Sequence, residues 1–310
     1  MEYRRIGKTG LKVSSVSIGG WITMGGTIDD KTSHGILKKS IDLGINFIDL
    51  ADIYAKGEAE SVAGKLLVDY QRSDLVLSSK VFWPMSDNPN DRGLSRKHIM
   101  ESCEKSLKRL KTDYLDMYFC HRFDEETPLE ETLRAMDDLV RQGKILYWGT
   151  SVWSSEQLSQ AHRVSEKYGA YKPVVEQPRY NLLDREIESS VMGTCTEEGM
   201  GLVVWSPLAQ GLLAGRYDEG VPENSRASTT SWLSDSLNEE NLVKSRQFSE
   251  LSKDLGYTPS QVALAWCLRR PEISSVITGA SSPSQVESNV AAAQIQLSSE
   301  DLVRIDTIFA

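Results

Sequence analysis

The sequence predicts a (β/α)8 TIM barrel with an N-terminal β-hairpin plug. Eight short β-rich runs alternate with longer amphipathic segments, the runs are nearly continuously apolar, and the chain of 310 residues slightly exceeds the roughly 250 typical of such barrels. A doubly wound open sheet is the alternative, but no GxGxxG follows any strand and no GxxxxGK[ST] occurs. With no internal repeat, low-complexity tract or linker, residues 1–310 are expected to form a single domain.

The chain opens with YRRIGKTGLKV, in which Gly7 and Gly10 suggest a hairpin turn at the barrel's bottom. The strand candidates follow as Val16–Gly20, Phe47–Ala51, Leu75–Val81, Leu115–His121, Ile145–Ser151, Val174–Gln177, Leu202–Ser206 and Ser275–Ala280. Between them SRKHIMESCEKSLKRLK puts Ile99, Cys103, Ser106, Leu107 and Leu110 on one helical face, and PLEETLRAMDDLVRQG is closed by Gly143. Leu208 to Lys244, rich in Gly, Pro, Ser and Asp, is one long irregular stretch, and such a loop is more often functional than idle.

Composition narrows the function. Hydrophobic residues at 40% suffice for a large core, and 35 basic against 44 acidic side chains give a net charge of −9, which offers no footprint for nucleic acid. Cys103, Cys120, Cys195 and Cys267 lie far apart, with no CxxC and no histidine at metal-ligand spacing, so reduced thiols and no metal are expected. No leader-like segment and no membrane-length apolar run occurs, and a cytoplasmic protein is expected.

Barrels of this class build their sites at the C-terminal ends of the strands. Those ends carry Asp49, Asp52 and Tyr54 after the second strand, Lys80 in the third, His121 on the fourth, then Ser151, Gln177 and Trp205 on the next three. Singly, each has an ordinary structural explanation. Together they suggest chemistry, because a lysine in an apolar strand must be paired or lose its charge, and the barrel mouth brings it towards Asp49. The ammonium would lower the pKa of a neighbouring phenol and make Tyr54 a general acid. Tyr54 could protonate the oxygen of a carbonyl attacked by hydride, with His121 donating a hydrogen bond to the same oxygen.

FIDLADIY, LSSKV, YLDMYFCHRFD, GTSVWS, EQPRYNLL, WSPLAQGLLAGRY, SRAS and VITGASSPSQVESN occur in the order found in aldo-keto reductases. Over essentially its whole length the chain resembles that superfamily, in the branch of the potassium-channel β subunits and related bacterial reductases. The resemblance implies a catalytic tetrad of Asp49, Tyr54, Lys80 and His121, and NADP(H) bound across the barrel mouth without a Rossmann fold. It implies that Ser151 and Gln177 hold the carboxamide, that Trp205 stacks on the nicotinamide, and that Ser206, Leu208, Gln210, Gly211 and Leu212 line the pyrophosphate. Arg216 and Arg226 match positions used around the cofactor phosphates. Ser281 and Gln285 are implied at the adenosine 2′-phosphate, and Asn289 at the adenine.

Read by itself, SSPSQVESN starts a helix with Ser281 or Ser282 as cap and Pro283 in the first turn, an anion site that agrees with NADPH over NADH. Two departures stand out. Val152 replaces the Asn or Arg usual after the serine of GTS, and Ser288 replaces a common glutamate, with Glu287 about 100° away around the helix.

The expected activity is reduction of aldehyde or ketone carbonyls, with a small-molecule carbonyl substrate as partner, no nucleic acid, no membrane insertion, and a homo-oligomer left open. The alternative is a regulatory or redox-sensing subunit acting through a protein partner; a barrel beginning within a few residues of Met1 favours the free enzyme. Trp21, Ile22, Thr23, Met24, Phe82, Trp83 and Phe123 are the expected pocket walls. Arg122 is expected either to attract an anionic substrate or to pair with Asp124 or Asp87.

Overall fold

The computed structural model describes residues 1–21, 23–220 and 237–310. Arg226, Ile22 and the centre of the Leu208–Lys244 stretch lie outside the described residues.

Strands β1 (Tyr3–Arg5) and β2 (Lys12–Ser14) pair antiparallel from Tyr3↔Ser14 to Arg5↔Lys12. Gly7 makes the turn at φ 49°, and a Cβ there would lie 2.2 Å from the Gly199 carbonyl oxygen, so no side chain fits.

The remaining strands form a closed parallel barrel: β3 (Val16–Gly19), β4 (Phe47–Asp49), β5 (Val76–Val81), β6 (Leu115–Cys120), β7 (Ile145–Thr150), β8 (Val175–Glu176), β9 (Gly201–Val204) and β10 (Ile273–Thr278). Closure runs through Val276↔Val16, Ile277↔Ser17 and Thr278↔Ile18. Each expected strand is present. The seventh ends at Val204, so Trp205 and Ser206 lie just past it, and the eighth begins at Ile273.

Helices α1 (Asp30–Asp42), α2 (Glu58–Leu67), α3 (Arg96–Leu110), α4 (Leu129–Arg141), α5 (Ser155–Tyr168), α6 (Val191–Glu198), α7 (Glu239–Asp254), α8 (Pro259–Leu268), α9 (Pro283–Ala291) and α10 (Ser299–Phe309) complete the described architecture. Seven of the ten starts carry a side-chain cap. Ser95 accepts from the His98 N–H, while Ser154 with Gln157 and Thr258 with Gln261 close reciprocal capping boxes. In α3 the face of Ile99, Cys103, Ser106, Leu107 and Leu110 is buried, as its spacing predicts. All four cysteines are buried free thiols.

Period-two alternation fills the barrel's interior. Phe47, Val76, Met117, Phe119, Val175, Val203 and Ile277 pack into one cluster with Ile6 and Val13 of the hairpin. Hydrophobic burial thus places the hairpin as a plug at the end of the barrel from which the strands start.

Candidate active site

The alternation that packs the interior also builds the site. Two residues beyond Phe47 is Asp49; beyond Val76 come Ser78 and Lys80; beyond Phe119, Val175 and Val203 come His121, Gln177 and Trp205. All therefore stand on the interior face towards the opposite, C-terminal end.

Lys80 is fully buried, and its ammonium spends its three N–H donors on three acceptors: Asp49 Oδ2 at 2.7 Å, the Leu50 carbonyl at 2.6 Å and the Tyr54 hydroxyl at 3.1 Å. The other Asp49 oxygen accepts from Ser78 Oγ at 2.7 Å and Gln177 Nε2 at 3.0 Å. The carboxylate keeps the buried lysine protonated, and its pKa lies above the ordinary value despite desolvation.

Tyr54 differs from the expectation. Burial pushes the phenol above its usual value, and Lys80 opposes this without overcoming it. The hydroxyl is therefore a protonated donor at neutral pH, though not through a depressed pKa. His121 is buried, with its ring 6.0 Å from that of Tyr54, and desolvation together with Lys80 and Arg122 holds it well below its usual value. It is a neutral imidazole, and its Nδ1 has no hydrogen-bond partner among the described residues.

Ser151 and Gln177 meet at the same rim, where Ser151 Oγ donates to the Gln177 carbonyl at 2.9 Å. Trp205 is half-buried after β9, with Trp21 edge-on at 6.2 Å and 86°. The next residues carry unusual backbone: Ser206 (φ 52°), Ala209 (φ 44°), Gln210 (φ 57°) and Gly211 (φ 105°) are all left-handed, and the buried Gln210 Oε1 has no partner among the described residues. Strain of this kind concentrates at ligand clamps, and successive turns of this sort present backbone N–H groups to anions. Leu208 is half-buried beside this turn and Leu212 is buried in the core. The exposed Arg216 lines a cleft of about 590 Å³ with Asp218, Glu219 and Lys253.

At α9, Ser282 is the cap and Pro283 the first helical residue. Gln285 Oε1 accepts from the Ser281 N–H at 2.8 Å and Ser281 Oγ at 3.2 Å, and Asn289 is buried one turn on. Glu287 points elsewhere, in an ion pair with Lys39 of α1 at 2.5 Å. Val152 is exposed with φ 59°, an unfavourable conformation for a β-branched residue.

Sequence reasoning missed Glu176. Fully buried beside Gln177, its carboxyl accepts from Thr150 Oγ1 and from the N–H groups of Val152 (2.6 Å) and Trp153 (3.3 Å), and burial lifts its pKa to about 7. Only a glutamate in an apolar strand signalled it. Asp52, just past the second barrel strand, is fully buried behind the barrel wall, where it accepts from Ser102 Oγ at 2.7 Å. Desolvation raises its pKa to about 7.

Of the expected pocket walls, Trp83 stands partly exposed beside His121, with ring centroids 6.3 Å apart, and Phe82 meets it edge-on at 5.1 Å. Thr23 and Met24 are buried, Met24 in the main core, and Phe123 packs on Trp153 at 4.8 Å. Arg122 forms no ion pair with Asp124 or Asp87. Asp124 instead accepts from the Leu94 and Glu126 N–H groups and from Thr127 Oγ1.

Among the described residues no helix is long and apolar enough to cross a membrane. The aldo/keto reductase family model matches residues 15–310. Curated relatives include a probable voltage-gated potassium channel subunit beta of Arabidopsis thaliana, 43% identical over 95% of this chain and 92% of the relative. One of the same description from Oryza sativa subsp. japonica is 42% identical over the same shares. A putative voltage-gated potassium channel subunit beta of Schizosaccharomyces pombe is 42% identical over 99% of this chain and 93% of the relative. With the closed barrel, these matches show that the chain belongs to the aldo/keto reductase family.

Proposed function

We propose that this single barrel domain is an NADP(H)-dependent reductase of aldehydes or ketones, with Tyr54 as general acid. The observation that carries the reading is the hydrogen bond from Lys80 to the Tyr54 hydroxyl. An ammonium has no lone pair, so the tyrosine oxygen accepts from it and the tyrosine proton is free for an oxygen in the mouth. Asp49 fixes the ammonium, and the neutral His121 can donate its one N–H to the same substrate oxygen.

The residues present fit a nicotinamide dinucleotide phosphate. A half-buried indole at Trp205, amide and hydroxyl groups at Gln177 and Ser151, the left-handed residues Ser206, Ala209, Gln210 and Gly211 and the capped start of α9 offer stacking, polar and anion-binding groups around one rim. When bound, the reduced cofactor would supply the hydride.

The test is NADPH oxidation with a panel of aldehydes, ketones and phosphorylated short sugars, run beside Tyr54→Phe. Turnover by the parent and a fall in kcat of roughly 10²–10⁴-fold in the variant, with cofactor binding kept, are expected. An unchanged rate in the variant removes Tyr54 from the acid role.

The relatives' names favour a second reading, in which the same cofactor site serves a protein partner. Under that reading partner binding would change with the cofactor's oxidation state in the Tyr54→Phe variant as well as in the parent.

A further inference from the structure

Arg122 is a half-buried guanidinium that forms no ion pair among the described residues. It follows His121 directly, donates through Nη1 to the His121 carbonyl and, at 3.4 Å, to Ser151 Oγ, and lies 5.6 Å over the Trp83 ring. Among the described residues no carboxylate reaches it at ion-pair distance, although the chain carries 44 acids against 35 bases. Other half-buried arginines are paired, as in Arg72 with Asp116 and Arg109 with Glu60. The acids nearest in sequence or space are committed: Asp124 to backbone N–H groups and Thr127, and Glu176 to Thr150, Val152 and Trp153.

A guanidinium cannot discard its charge, and among the described residues no ion pair neutralises this one, although the buried Glu176 acts on it through space. Both of its hydrogen bonds leave from Nη1, which keeps most of the planar fork open, and that fork matches a carboxylate or phosphate in two-point contact. Its position ties it to the reacting end of the pocket. It adjoins His121, and its charge is felt at both the Tyr54 phenol and the His121 imidazole. Trp83, beneath the guanidinium, supplies an apolar wall on the same side.

We propose that Arg122 is the anion receptor of the substrate pocket, and that the substrate is an aldehyde or ketone bearing a carboxylate or phosphate group. The proposal rests on the reductase reading for its carbonyl, and on Arg122 alone for its anion.

Matched pairs test it: succinic semialdehyde against butyraldehyde for a carboxylate, and glyceraldehyde 3-phosphate against glyceraldehyde for a phosphate. The intact protein is expected to prefer the charged member of at least one pair by about 10-fold or more in kcat/KM, the size of one charge-assisted contact. Arg122→Met should then lose at least about 10-fold more on the charged member than on the neutral one, chiefly through KM, with Arg122→Lys recovering part. The pair that responds identifies the anion. Equal losses on both members, or no preference in the parent, overturn the proposal.

A binding arm separates this from the reductase reading. Calorimetric titration with benzoate, phenyl phosphate and benzyl alcohol is expected to show Arg122-dependent binding of an anion over the alcohol, whether or not any aldehyde is reduced. If no aldehyde is turned over, the reductase reading fails and this arm alone decides the receptor. Absence of anion binding, or binding unchanged in Arg122→Met, overturns it.

Discussion

Lys80 joins Asp49 and Tyr54 through one buried ammonium, 2.7 Å from the carboxylate and 3.1 Å from the hydroxyl. The pair must hold together because each charge is desolvated, and removing one partner leaves the other buried and unanswered. Lys80→Met is therefore expected to destabilise the protein by about 3–5 kcal/mol at pH 7, and Asp49→Asn by a similar order. The double variant, which leaves no lone charge, should lose clearly less than the sum. Urea unfolding of the four proteins closes the cycle, and additive losses would show that Lys80 and Asp49 do not compensate each other.

Glu176 gives the fold a pH dependence of defined sign. Burial raises its pKa from 4.5 to about 7, so between those values the folded state holds the proton more tightly than the unfolded chain. Its contribution to stability is full below about pH 4.5, declines as pH rises through the window, and is lost above about pH 7. Glu176→Gln cannot titrate, so its stability relative to the parent should climb from pH 5 to pH 8, by at most about 1.4 kcal/mol per unit. Asp52, raised to about 7 by its own burial, slopes the same way in both proteins and cancels from the difference. A difference that stays flat with pH would mean that Glu176 is ionised throughout.

These two carboxyls also mark how far the sequence is legible. The sequence reveals the barrel because each apolar run and each amphipathic segment between runs is a local pattern, and the ends of those runs carry Lys80, His121 and Gln177 to the mouth. Burial of Asp52 depends on what packs behind the strand, here Ser102 of α3, and no spacing within FIDLADIY reveals that. The pKa of the Tyr54 phenol escapes the sequence for a related reason. A charge partner can be guessed from strand ends, but the desolvation that outweighs it is a property of the assembled site. The sequence leaves Arg122 open between an ion pair and a ligand, because the backbone and Thr127 contacts that commit Asp124 depend on the folded loop.

Val152 stores strain that one substitution should release. Its φ of 59° suits asparagine far better than a β-branched residue, and its side chain is exposed, so nothing packs against the change. Val152→Asn is expected to stabilise the protein by about 1 kcal/mol. The new amide would also stand next to Ser151, where a nicotinamide carboxamide is proposed to bind, and should lower the Kd for NADPH by about 2–10-fold, the range of a single neutral hydrogen bond. Urea unfolding and fluorescence titration read the two effects separately. Unchanged stability would show that the turn tolerates valine without cost.

Gln285 tests the proposed choice of NADPH over NADH. Its Oε1 gathers the N–H and hydroxyl of Ser281, while Ser282 alone caps α9, so Gln285→Ala should leave the helix start and the stability intact. If Ser281 and Gln285 receive the 2′-phosphate, the variant should bind NADPH about 10-fold more weakly, as expected for one lost charge-assisted hydrogen bond, and NADH nearly as before. Fluorescence titration with both cofactors measures this. Equal weakening of both would move Gln285 from the phosphate to a part of the dinucleotide that they share, and no change in either would take it out of the cofactor site.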